Sequence, residues 1–259
     1  MSEILFKGAK IYFEAHGSGA KVPLVLLHGF MEDVRIWDRI VKELKKERQV
    51  ICIDLPGHGR SEGVSNEHSM KLMADAVNEV VKSLGLTEFS IAGHSMGGYV
   101  SLEFLKNFPM IIKSIMLINS TPLEDTVEKQ EIRERSVKLV GNNKEAYVKM
   151  AISNLYSEES KKELASEIEE LKTRSCKMKA KNIQAALIGM KNRTNYLEEL
   201  KAFDKQKVIL GGKQDPILDI VELQRVSRGC ECDFHSLDNG HNSYMEDLDN
   251  LIKIMHFID

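Results

Sequence analysis

Apolar positions in the first half of the chain follow two rhythms. Short, continuous apolar runs at residues 22–27, 50–53, 89–92 and 115–118 predict strands buried on both faces. Residues 4–6 and 11–13 read as a hairpin-like start. Between the runs lie longer stretches with helical spacing, at residues 37–44, 70–84 and 98–107. The clearest is 70–84, where Leu72, Met73, Ala76, Val77, Val80, Val81 and Leu84 follow the helical period. Ser69 suits its N-cap and Gly85 its stop. Continuously apolar strands separated by helices predict a mostly parallel central sheet with helices on both faces. The fold class is α/β.

The rhythm changes after residue 122. Residues 123–200 show no strand-like alternation, contain no proline and hold only Gly141 and Gly189 of the 17 glycines. They carry 15 Lys/Arg and 14 Asp/Glu, and around Leu164, Ile168 and Leu171 the charges fall three and four residues apart. That is the pattern of amphipathic helices with solvated outer faces. Strand and helix signals then resume at 207–210, 218–228, 231–237 and 247–257. The predicted organisation is therefore one α/β core, residues 1–121 and 201–259, interrupted by a helical insertion over 122–200.

Composition narrows the function classes. The 36 Lys+Arg and 39 Asp+Glu nearly cancel to a net −3, so no basic field exists for nucleic acid or an anionic membrane. The longest apolar runs, 111–112 and 115–118, fall far short of the ~20 residues of a spanning helix. The start lacks a charged segment followed by a long apolar one, as a secretory leader would have. Four cysteines (52, 176, 230, 232) show no disulfide framework, and a reducing cytoplasm is expected. Cys230 and Cys232 form Cys-x-Cys, but no second pair stands at zinc-ligand spacing. They read better as alternate positions of a strand with Phe234, both thiols on one face.

The chemistry concentrates at Gly93-His94-Ser95-Met96-Gly97-Gly98, which sets Gly-x-Ser-x-Gly between a predicted strand and a predicted helix. A serine at so sharp a turn projects its hydroxyl from strained backbone, and side chains at 93 and 97 would clash across it. In the first turn of the helix, Met96 and Gly97 have free N–H groups aimed at the same spot. Gly98 lets the helix pack close.

With this turn in place the chain resembles the α/β-hydrolase family over about residues 4–258. Leu26-Leu27-His28-Gly29-Phe30 looks like the family's His-Gly oxyanion loop, with Trp37 as its nearby aromatic. Asp54-Leu-Pro-Gly-His-Gly-Arg-Ser61 matches its Asp-x-x-Gly-x-Gly-x-Ser turn, a structural element beside the site. The resemblance implies the α/β-hydrolase fold with an inserted helical cap and a triad in the order serine, acid, histidine. Ser95 is then the nucleophile. Asp215, in Gly211-Gly-Lys-Gln-Asp215-Pro216, is the acid, and His241, after Asn239-Gly240, is the base. The backbone N–H groups of Phe30 and Met96 form the oxyanion hole. His28 and His58 fit structural loop roles, and His94 is the variable position of the turn. Two departures stand out. Leu248 replaces the proline of the family's Gly-His-x-x-x-x-Glu-x-Pro, although Glu246 matches. Asn119 occupies a place where some relatives carry the acid, with Glu124 and Asp125 as the fallback.

The implied chemistry is cleavage of a small carboxylic ester, lactone or thioester through an acyl-serine, without metal or organic cofactor. The partner is a small ester or acyl substrate, and the protein is expected to be a monomer or homodimer. Phe30, Met31 and Met96, with Tyr147, Met150, Ile152, Tyr156 and Met190 of the insertion, are candidates to line the pocket. Three other readings use the same framework: a C–C bond hydrolase, a lyase of the menaquinone-pathway type, and a non-enzymatic small-ligand receptor. The first two predict cations near the pocket, with Arg60 as one source.

Overall fold

The computed structural model describes residues 2–258; Met1 and Asp259, the outermost residues of the predicted core, lie outside the described residues. Among the described residues eight strands form one sheet, ordered across it as residues 2–6, 9–16, 48–53, 21–27, 89–94, 112–118, 206–212 and 233–237. The chain opens with β1 (Ser2–Phe6) and β2 (Ala9–His16), an antiparallel hairpin turned by Lys7 and Gly8, both at positive φ. β3 (Lys21–Leu27) leads through a 3₁₀ turn, Val34–Trp37, into α1 (Asp38–Leu44) and β4 (Arg48–Ile53). Asp33 caps that turn by accepting from the Arg35 N–H, so the helix predicted over 37–44 begins one residue later than expected.

α2 (Met70–Ser83) starts on Ser69, whose hydroxyl accepts from Leu72 N–H, and ends where Gly85 takes φ +67°. β5 (Phe89–His94), α3 (Met96–Asn107) and β6 (Ile112–Ile118) follow, then the helices α4 (Val127–Ser153), α5 (Glu158–Glu163), α6 (Ala165–Ser175), α7 (Ala180–Lys191) and α8 (Leu197–Ala202). The sheet resumes with β7 (Gln206–Gly212), α9 (Ile220–Gly229) and β8 (Asp233–Leu237). α10 (Ser243–Glu246) and α11 (Leu248–Met255) complete the fold; Leu248, at the position of the family's proline, is the first residue of α11. All pairings from β4–β3 to β7–β8 are parallel. Strand alternation divides the core. Leu24 and Leu26 of β3 point to the face covered by α1 and α11, Val25 and Leu27 to the face covered by α2, α3 and α9.

One local expectation fails. Cys230 and Cys232 are not on a strand: Cys230 closes α9, Glu231 turns the chain at φ +55°, and β8 begins only at Asp233. Cys232 N–H donates to Ser227 O and Ser227 Oγ to Cys232 O, so the pair belongs to a helix-end turn. Burial pushes both thiols up, Cys232 to about 12.

The helices α4–α8 lie between β6 and β7 and join the core in one apolar cluster, fixed also by hydrogen bonds. Ser175 Oγ donates to Met31 O at 2.6 Å, His68 N–H to Ala185 O at 3.0 Å, and Tyr196 Oη to Glu103 at 2.8 Å. Gly189 explains why a glycine sits in this otherwise glycine-poor segment: a Cβ there would stand 1.8 Å from His68 O. α4 kinks at Asn143, whose side chain caps the second half by accepting from Ala146 N–H. Among the described residues no helix is long and apolar enough to cross a membrane.

Candidate active site

The turn after β5 is as tight as its glycines require. Ser95 has φ 49° and ψ −114°, a conformation L-residues rarely adopt and that costs of order 1–3 kcal/mol. Its backbone is tied on both sides: Ser95 N–H donates to Ile118 O at 2.9 Å, and Ser120 Oγ donates to Ser95 O at 2.8 Å. A Cβ at Gly93 would meet Gly97 at 2.3 Å, one at Gly97 would meet Leu27 O at 2.2 Å, and one at Gly98 would meet Ser120 Oγ at 2.3 Å.

Asp215 follows β7 and His241 follows β8, and the two loops touch where a Cβ at Gly212 would lie 2.1 Å from Gly240 O. The contact aligns three side chains. His241 Nδ1–H donates to Asp215 Oδ2 at 2.8 Å, which leaves Nε2 to accept from Ser95 Oγ–H at 3.0 Å. Asp215 also accepts from the N–H groups of Ile217 (2.8 Å) and Leu218 (3.1 Å) and from Asn119 Nδ2 (3.1 Å). Burial pushes the Asp215 carboxyl up, but the His241 ring and these donors outweigh it and hold the group below the usual carboxylate range.

The loop after β3 runs beside this array. His28 Nδ1–H donates to Gly29 O at 2.8 Å while Nε2 accepts from Leu55 N–H at 3.0 Å, pinning the loop to the end of β4. Among the described residues, the N–H groups of Phe30 and Met96 donate to no protein acceptor. Above Ser95 and His241 lies a cavity of about 430 Å³, within the range of small-molecule sites.

A family model described as alpha/beta hydrolase fold matches residues 22–248. The chain belongs to the α/β-hydrolase fold family. Among similar proteins, monoacylglycerol lipase abhd6-B of Xenopus laevis is 27% identical over 95% of this chain and 78% of its own length. The dihydrolipoyllysine-residue acetyltransferase component of the acetoin cleaving system of Pseudomonas putida is 36% identical over 47% of this chain. That match spans only 33% of the acetyltransferase component. A thermophilic esterase from Thermogutta terrifontis, solved with malate bound, superposes with a TM-score of 0.90 at 26% identity. It covers 96% of this chain and 92% of its own.

Within this α/β-hydrolase the expected pocket residues divide. Phe30, Met31, Tyr147, Met150 and Met190 line the cavity, while the Met96 side chain is fully buried and does not. Ile152 and Tyr156 are also absent from the wall. On α4 the wall comes from Tyr147, Met150, Ala151 and Asn154, one helical stripe; Val148 and Ile152 lie on the neighbouring stripe and pack into the core. Tyr156 is buried near Met245, its hydroxyl 3.6 Å from the sulfur. Arg60 is misplaced too. Its guanidinium stacks 4.4 Å from the Tyr12 ring centroid beside Glu14 and lines a separate cleft. The cations on the cavity wall are Lys129 and Arg133, which with Ile132 and Ser136 form a second stripe spaced i, i+3, i+4, i+7 on α4. Asp125 is no substitute acid: it pairs with Arg133 and Arg193, and Glu124 is exposed. Asn119, which cannot serve as an acid, instead braces Asp215. Its amide donates to Asp215 and to Gly240 O (3.0 Å), and its oxygen accepts from Ser243 Oγ at 2.5 Å.

Sequence reasoning missed the group behind His241. His94 is fully enclosed, and its Nδ1–H donates to Glu32 Oε2 at 3.0 Å while Nε2–H donates to the His241 carbonyl at 2.9 Å. Both nitrogens face acceptors, an arrangement that favours the doubly protonated ring. Burial disfavours that charge, but the Glu32 carboxylate and the carbonyl outweigh it and raise the His94 pKa. Glu32 also accepts from Gly29 N–H (2.6 Å) and Tyr244 Oη–H (2.9 Å), joining the Phe30 loop to the His241 loop. An acidic residue two positions after His-Gly-Phe, together with a histidine before the serine, was the available signal.

Proposed function

We propose that this α/β-hydrolase is a serine hydrolase of small carboxylic esters, lactones or thioesters. The observation that carries the reading is the unbroken Ser95–His241–Asp215 hydrogen-bond relay, 3.0 and 2.8 Å long, opening into a 430 Å³ cavity. A serine hydroxyl is a weak nucleophile until a base takes its proton. His241 Nε2 takes it as Ser95 Oγ attacks the carbonyl carbon. Asp215 holds the required tautomer and stabilises the imidazolium. The N–H groups of Phe30 and Met96 receive the oxyanion, each such donor being worth ~3–4 kcal/mol in the transition state. His241 then protonates the leaving alcohol or thiol, and water activated by the same base releases the acyl group.

The helices between β6 and β7 act as a cap that excludes water and supplies most of the wall contacting the substrate. The names of the similar lipase and esterase agree with ester chemistry. Steady-state hydrolysis of 4-nitrophenyl esters of two to eight carbons tests the proposal. Wild type should turn over the shorter members, and Ser95→Ala should lose at least about 10³-fold in kcat/KM. Activity surviving in Ser95→Ala would overturn it, as would tight ligand binding with no turnover by wild type.

A further inference from the structure

Charges on the cavity wall do not cancel. Asp125 and Arg193 are both nearly inaccessible, and Arg193 Nη1 lies 2.7 Å from Asp125 Oδ1. Arg193 has four of its five N–H groups engaged: it also donates to Leu123 O and Met190 O and stacks 4.1 Å from the Tyr99 ring centroid. Arg133 shares the same single carboxylate. Its Nε meets Asp125 Oδ2, its Nη2 reaches Oδ1 at 3.4 Å, and its Nη1 finds only the Met190 thioether at 3.5 Å. A guanidinium has five N–H groups, so two of those on Arg133 lack an acceptor among the described residues. Arg133 lines the cavity that holds Ser95 and His241, with its side chain 20% exposed. Lys129, one turn earlier on α4, adds a second cation to the same wall and makes no ion pair among the described residues. The acidic groups here are already committed: Asp125 to two arginines, Glu32 to His94, Gly29 and Tyr244, and Asp215 to His241.

We infer that the substrate carries a carboxylate, remote from the scissile bond, which seats on the free edge of Arg133 with Lys129 alongside. A planar fork with two unsatisfied N–H groups matches a carboxylate in shape and charge. Much of the remaining wall is apolar, with Ile132, Met150, Leu187 and Ile217, so an aliphatic chain would join the anionic end to the ester. Asp125 keeps Arg193 when Arg133 is replaced, so Arg133→Gln leaves no orphaned buried charge.

This inference rests on the hydrolase reading, and the test separates the two. Mono-4-nitrophenyl adipate and 4-nitrophenyl hexanoate share chain length and differ by the terminal carboxylate. Wild type should favour the adipate at least about tenfold in kcat/KM, by the tenfold-per-1.4 kcal/mol scale of one charged contact. Arg133→Gln should cut that ratio about tenfold. Lys129→Glu, on an exposed side chain where folding is not at stake, should cut it at least about threefold, and added salt should lower it in wild type. A ratio near one in wild type, or one that neither variant moves, overturns the inference. Thermal denaturation with free adipate supplies a readout that needs no turnover. Adipate should raise Tm of wild type and Ser95→Ala but not of Arg133→Gln. That result with both esters inert would sink the hydrolase reading and keep the carboxylate site; both esters cleaved equally, with no adipate shift, would do the reverse.

Discussion

The sheet core and the helices α4–α8 are built under different constraints. The inner strands are walled on both faces, and Leu24–Leu27 of β3 and the whole run of β5 are buried. Each side chain there has neighbours that define its place, and such packing can hold Ser95 at a backbone angle that costs energy. The inserted helices instead present Ile132, Leu139 and Met150 partly to solvent. Their outer faces carry ion pairs one turn apart, such as Glu145–Lys149 and Glu158–Lys161. They share an apolar cluster with the core through Val148, Ile152, Ile183 and Leu187, and add hydrogen bonds and a close approach at Gly189. The Ser95–His241–Asp215 relay sits where geometry is over-determined, and the proposed carboxylate-binding side chains Arg133 and Lys129 sit on the inserted helices.

The largest expected effects lie on the core side of that comparison. His241→Ala should lose about 10⁶-fold in kcat and Asp215→Asn about 10⁴-fold, with far-ultraviolet circular dichroism unchanged. Losses under tenfold in either would show that the relay is not what drives the reaction. Next comes the buried Glu32–His94 pair. Glu32→Gln removes one partner of an enclosed ion pair and should cost about 3 kcal/mol near pH 6, measured by denaturant unfolding. The sign of its pH dependence follows from the two shifts. The Glu32 pKa is lowered from 4.5, so its contribution is present above that value and fades as pH falls through the folded value. The His94 pKa is raised from 6.5, so its contribution is full below that value and fades as pH rises through the folded one. The stability gap between wild type and Glu32→Gln should therefore be widest near pH 5–6 and narrow toward pH 9. A gap constant with pH would mean that the pair carries no charge.

Smaller effects belong to the inserted helices. Gly189→Ala forces a methyl against His68 O and should cost about 1–3 kcal/mol while raising KM more than it lowers kcat. An equal fall in kcat and kcat/KM would place this contact on the chemical side. Lys149→Ala, which removes an exposed pair, should leave Tm and kcat/KM unchanged within error. A measurable change in either would show that the outer face is not merely solvated.

The same division governs what the sequence could reveal. Periodicity located the sheet, because strands buried on both faces are continuously apolar, and Gly93 and Gly97 marked a turn that only small residues allow. Ser95, Asp215 and His241 were legible as positions in ordered loops. The pocket was less so, since Ile152 is one position round the helix from Ala151, and which stripe faces the cavity depends on how α4 kinks at Asn143. Glu32, His94 and Asn119 were hidden for another reason. They act by hydrogen bonds to backbone and side chains distant in sequence, His94 to His241 and Asn119 to Asp215 and Gly240, and a place beside a motif, the available signal for Glu32 and His94, does not name such partners.

The central claim is that Ser95 is the atom that attacks. Treatment with a fluorophosphonate, followed by intact-mass and peptide mass spectrometry, tests it most directly. One adduct per chain should form, on the peptide containing Ser95, and none should form in Ser95→Ala. An adduct that persists in Ser95→Ala, or that maps to another residue, would contradict it.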